Sequence, residues 1–118
     1  MPDVVTLIQD MLFSSKVREA AKATGVSVQA TRDVPALVAA AREAKLVVID
    51  LRLPMALDAL DALAADATAR GAAAAHSVGF IDHEKTNVME AARAKGCADV
   101  MAKGGFANAL PRLLANLR

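Results

Sequence analysis

Short apolar runs separated by longer segments of helical character organise this chain. The runs are residues 4–8 (VVTLI), 26–30 (VSVQA), 46–49 (LVVI), 76–81 (HSVGFI) and 98–102 (ADVMA). Most are β-branched or apolar throughout, as expected of strands covered on both faces. ADVMA fits that pattern least, because Ala and Met do not favour strands. Helices are predicted in the gaps. Ser14 or Ser15 can cap KVREAAKAT, with Gly25 as its stop, and Asp33 can cap VPALVAAAREA with Pro35 in the first turn. Leu53, Leu57, Leu60 and Ala64 form an apolar stripe spaced four, three and four residues apart. A fourth helix runs through EKTNVMEAARAK to Gly96. A fifth carries Leu110, Leu113, Leu114 and Leu117, with Asn108 as cap and Pro111 in the first turn.

Strand and helix thus alternate five times, which predicts an α/β fold with a parallel five-stranded sheet and helices on both faces. The 118 residues fit a single domain, 1–118, with no internal linker, repeat or charge run. Composition sharpens the picture of the core. There are 28 alanines and only three aromatic residues, all Phe, so the core should be aliphatic and its helices closely packed.

Charge and cysteine content exclude several classes. Net charge is +1 and the basic residues are scattered, so no nucleic-acid footprint is expected. One cysteine, Cys97, excludes an internal disulfide and a cysteine-based metal cluster, and a buried structural thiol is the expected role. The start MPDVVTLIQD lacks a signal-peptide pattern, and no apolar run approaches the ~18 residues that span a bilayer, so a cytoplasmic protein without membrane contact is expected.

In such a sheet, ligands bind at the carboxyl ends of the strands, near the point where the winding reverses. That places Gln9 and Asp10, Asp50, then Asp82, His83 and Glu84, and finally Lys103 at one edge. With strand order 2-1-3-4-5, Asp10 and Asp50 lie side by side and Lys103 can reach across. Two carboxylates can hold Mg²⁺ together with waters and phosphate oxygens, a Lys can neutralise a phosphoryl group, and an Asp can accept one.

Here the chain resembles a response-regulator receiver domain, a flavodoxin-like (βα)5 fold, over residues 4–117. VVIDLRLP resembles the receiver strand that ends on a phospho-acceptor Asp with Pro four residues later; DVMAKGG resembles the fifth strand and its Lys; and AARAKGCADVMAK resembles the Ala-rich fourth helix, Gly and fifth strand. The resemblance makes Asp50 the phospho-acceptor equivalent, Lys103 the phosphate-binding residue, and Asp10 with Asp50 a weak Mg²⁺ site. It also implies a protein partner, either a histidine kinase or a downstream signalling protein.

Departures point to a degenerate, pseudo-receiver variant. Receivers usually carry two adjacent acids where this chain has Gln9-Asp10, and the following MLFSSK looks like a lengthened loop. Ile81 stands where a Ser or Thr would bind the phosphoryl group, Val100 replaces the switching aromatic residue, and Gly104 replaces the Pro after the Lys. The expectation is a stand-alone signalling protein acting by protein–protein interaction with impaired phospho-switching; the alternative is a single-domain response regulator phosphorylated on Asp50.

Blander roles stand beside these. Asp50 and Asp10 can be capping carboxylates, Lys103 a solvated lysine, and Asp82 the cap of the fourth helix. His83 is an exposed polar residue that would titrate near neutral pH if it joined the site, and His76 sits on the wrong edge. A small-molecule binder on the same sheet finds little support. There is no Gly-rich phosphate cradle after the first strand, no Trp or Tyr to stack on a flavin, no cobalamin signature and no Gly-x-Gly-x-x-Gly. No catalytic triad is evident, so enzymatic activity is not expected.

Overall fold

The structure, a computed structural model, describes residues 2–118. Five strands and five helices alternate as β1 (Val4–Leu7), α1 (Met11–Thr24), β2 (Val28–Thr31), α2 (Val34–Ala41), β3 (Leu46–Asp50), α3 (Ala56–Ala69), β4 (His76–Ile81), α4 (Thr86–Ala94), β5 (Asp99–Ala102) and α5 (Lys103–Ala115). The strands form one parallel sheet in the order β2-β1-β3-β4-β5. Fold class and strand order are those expected from the sequence.

Alternation within β1 and β3 explains why both are mainly apolar along their length. Val5, Leu7, Val47 and Ile49 face one side of the sheet, where Leu37 of α2 and Leu60 of α3 pack on them. Val4, Leu46 and Val48 face the other, against Val17 of α1 and Leu110 and Leu114 of α5. Both faces are covered, and the polar residues these strands carry, Thr6 and Asp50, are buried as well. β2 and β5 are the edge strands and are correspondingly less buried than the three between them. Gly79 in β4 is required by a close approach: a Cβ there would lie 2.7 Å from a Leu51 methyl group.

Several helix boundaries differ from expectation. α1 begins at Met11, not after a serine cap, because the Asp10 side chain accepts hydrogen bonds from Leu12 N at 2.8 Å and Phe13 N at 3.2 Å. MLFSSK is therefore helix rather than a lengthened loop, and this brings Phe13 over the sheet. Asp33 caps α2 as predicted, accepting from Ala36 N, and Gly25 ends α1 in a left-handed conformation with φ of 80°. α5 starts at Lys103, directly after β5, so Asn108 does not cap it and Pro111 lies inside the helix. Burial of Phe106 anchors this early start despite Gly104 and Gly105. Asp82 does not cap α4, whose first residue is Thr86 and whose N-cap makes no side-chain bond.

Candidate functional site

The register sets the site. Leu7 lies opposite Ile49, Asp50 opposite Phe80, and Ile81 opposite Ala102, so the carboxyl ends of β1, β3, β4 and β5 form one edge. Asp50 closes β3 and is 2% exposed. A carboxylate at that depth needs a strong partner.

The partner is Arg52, a residue the sequence reading passed over. Its guanidinium forks onto Asp50, with Nε donating to Oδ1 at 2.8 Å and an Nη donating to Oδ2 at 2.8 Å. The same Nη donates to Asp10 Oδ2 at 3.1 Å. The Arg52 backbone N–H also donates to Asp50 Oδ1, at 3.0 Å, so Asp50 closes its own turn. Asp50 thereby combines the capping role with a site position.

An aromatic column supports the arginine. Phe13 and Phe80 stack at 4.8 Å, and Phe80 and Phe106 at 4.7 Å. These are the chain's three aromatic residues, drawn from α1, β4 and α5. The Arg52 guanidinium carbon lies 5.5 Å from the Phe13 centroid and 5.6 Å from that of Phe80, within cation–π range. The fork also raises the Arg52 pKa, mainly through its hydrogen bond to Asp50, so the cation is permanent. Asp10 is held below the usual carboxylate range, first by the Phe13 backbone N–H and then by Arg52.

All four carboxylate oxygens of Asp10 and Asp50 thus accept hydrogen bonds from within the chain. Lys103 does not join them. Its Nζ lies 2.7 Å from Asp82 Oδ1, and among the described residues its ion pair is with Asp82 rather than Asp50. That contact, before all others, lowers the Asp82 pKa.

The remaining candidates fall outside the pair. Gln9 lines a neighbouring cavity that neither acid lines. Ile81 is buried with Leu51 and Ile49 on the α3 side of the sheet and offers no hydrogen-bond donor. His83 is solvent-exposed, 4.0 Å from Glu84, in a shallow depression with Asp82 and Lys103. His76 sits at the opposite edge, 2.9 Å from Asp99, and Cys97 is a buried thiol whose pKa is raised by burial. Among the described residues, no group of three His, Cys, Asp or Glu side chains is arranged to hold a metal. Arg52 had a sequence signal: a basic residue two positions after an acid at a strand end can fold back onto it.

No protein-family model matches the chain, and no curated protein matches it by sequence. Its fold is that of response-regulator receiver domains. A Rhodospirillum rubrum receiver domain superposes with a TM-score of 0.73 at 20% identity, covering 96% of this chain and 91% of that one. The receiver domain of Saccharomyces cerevisiae Ssk1, crystallised with the histidine phosphotransfer protein Ypd1, gives 0.74 at 16% identity, covering 86% and 79%. The receiver domain of a Pseudomonas aeruginosa sensor histidine kinase, with magnesium coordinated in its active-site cleft, gives 0.75 at 17% identity, covering 98% and 96%.

Proposed function

We propose that this chain is a receiver-like signalling module that works through protein–protein contact, with its acidic pocket neutralised by its own arginine. The observation that carries this reading is the Arg52 fork on Asp50 and its reach to Asp10. Mg²⁺ needs carboxylate oxygens at about 2.0–2.1 Å in near-octahedral array. The oxygens of Asp10 and Asp50 already serve N–H donors, and a guanidinium stands between them. The donor set in this arrangement does not fit the metal. An arginine spanning both acids supplies positive charge there without an exchangeable ion.

Three further features support a fixed pocket. Ile81 brings no hydroxyl to the edge, and Val100 has no ring to rotate. Lys103 is engaged by Asp82. A protein partner at this rim is supported by Met11 and Leu12 beside the pocket, 74% and 62% exposed, a concentration of apolar surface at the start of α1. That the Ssk1 receiver was crystallised with a phosphotransfer protein favours the same kind of partner. Among the described residues no helix is long and apolar enough to cross a membrane. We assign the chain no turnover of its own: the Cys97 thiol is buried with a raised pKa, and His76 pairs with Asp99 away from the pocket.

The second reading, a regulator phosphorylated on Asp50, is supported by the resemblance of VVIDLRLP and DVMAKGG to receiver motifs, which would make Asp50 the acceptor and Lys103 the phosphate-binding residue. Incubation with acetyl phosphate and Mg²⁺, followed by intact mass, separates the two. The fixed-pocket reading predicts an unmodified mass. A phosphoryl adduct that disappears in Asp50→Asn would establish the second reading instead.

A further inference from the structure

Beside the acidic pocket lies a separate cavity of ≈ 410 Å³, and we propose that it binds a small organic anion: an oxyanion head group, carboxylate or phosphoryl, on an apolar body. It straddles the carboxyl ends of β1 and β2 and the loop after β3, where the winding of the sheet reverses. Its volume lies within the ~300–1,000 Å³ of small-molecule sites. Neither Asp10, Asp50 nor Arg52 lines it, so it is distinct from the pocket described above.

The lining has two chemistries. Leu7, Ile8, Leu53 and Met55 provide an apolar wall. Arg18 and Arg32 provide two guanidinium groups, and no acidic side chain lines the cavity. Among the described residues neither arginine has a carboxylate within 4.0 Å, whereas Arg42, Arg52 and Arg70 are each forked or paired onto an Asp. Met11, Ser14 and Arg18 follow one another at three and four residues, so a single face of α1 presents all three to the cavity. The Gln9 carboxamide and the Ser14 hydroxyl line the same space without a hydrogen-bond partner among the described residues.

These features specify the ligand class. Two planar guanidinium forks with no counter-charge favour an oxyanion, which they can bind by charge-assisted bonds. An apolar wall of four side chains gains nothing from a bare inorganic ion but rewards an alkyl or ring body. Unpartnered amide and hydroxyl groups can complete the shell around the head group.

The test uses the full chain, ¹⁵N-labelled, titrated with octanoate and with octyl phosphate while amide shifts are followed. Octanol and inorganic phosphate serve as the two halves of the ligand. The expected result is saturable binding of either whole probe, with shifts at Gln9, Ser14, Thr31 and Leu53. Both half-probes should bind roughly tenfold or more weakly, and R18Q/R32Q should lose at least about tenfold in affinity for the whole probes. The single variants R18Q and R32Q should each give an intermediate loss, which separates a site effect from a folding defect. Non-saturating shifts, equal affinity in R18Q/R32Q, or inorganic phosphate binding as tightly as octyl phosphate would each overturn the proposal.

Discussion

Two carboxylate–cation contacts share the carboxyl edge of this sheet, and they are built differently. Asp50 is buried, receives a two-point fork from a planar guanidinium, and shares that guanidinium with Asp10 above an aromatic column. Asp82 meets a single Lys103 ammonium, and both side chains are about a third exposed or more. A guanidinium held by two carboxylates and two ring faces has few alternative positions. An ammonium on a four-carbon stem has many. The first contact is a fixed part of the fold, and the second can open at little cost. The difference puts the multi-point contact at the ends of β1 and β3 and the single-point contact at the ends of β4 and β5.

Breaking the fork should have the largest effect. Arg52→Met leaves the buried Asp50 without a counter-charge, and is expected to cost about 3 kcal/mol and to lower the melting temperature by about 10 °C. Chemical denaturation at neutral pH measures this. A loss no larger than that of an exposed arginine would show that the fork contributes nothing.

A second substitution sharpens the assignment. Adding Asp50→Asn to Arg52→Met removes the stranded charge, so the double variant should recover a large part of the lost stability. A double-mutant cycle reads the coupling directly. Additive losses would mean that Arg52 acts through its packing on Phe13 and Phe80 alone.

Acid should weaken both contacts. Asp10 and Asp82 have folded pKa values below the ordinary 3.8, and Asp66, bridged by Arg42 and Arg70, is lowered to about 2. A carboxylate whose pKa is lower when folded contributes stability above its unfolded value, and that contribution is lost as pH falls through the folded value. Stability should therefore hold from neutrality to about pH 5 and decline below about pH 4, with the Asp66 share fading down to about pH 2. Unfolding midpoints measured across that range check it; stability rising on acidification would contradict the assignment.

The smallest effect is expected at Lys103→Met. An exposed single-point ion pair contributes little, so its melting temperature should stay within the scatter of ordinary surface substitutions. A loss comparable to that of Arg52→Met would erase the contrast between the two contacts.

Much of the fold was legible because both faces of β1 and β3 are covered, which writes each strand as a mainly apolar run. β4 was legible over its full length, from His76 to Ile81. The α1 start was not, because Ser14 and Ser15 offer equally good caps further along, while Asp10, open to both a capping and a metal-binding role, caps the helix through Oδ1. The α5 start was obscured by Gly104, Gly105 and Pro111, which read as breakers until Phe106 is seen buried in the core. Within the site, Asp10 and Asp50 were placed together correctly from strand order. Arg52 was missed because its role is tertiary: the rings beneath it come from Phe13 and Phe80, distant in sequence, and the acid it shares comes from another strand end. Lys103 was expected to reach Asp50, but Asp82 at the end of the adjacent β4 meets it first.

If the Arg52 guanidinium takes the place of a metal ion between Asp10 and Asp50, as proposed, the wild type should offer Mg²⁺ no site there. An NMR titration of the ¹⁵N-labelled protein with Mg²⁺, run in parallel on wild type and Arg52→Met, decides this. Expected are no saturable shifts at the Asp10 and Asp50 amides of the wild type at millimolar Mg²⁺, and saturable shifts at both once the guanidinium is gone. Saturable binding to the wild type at those two residues would contradict it.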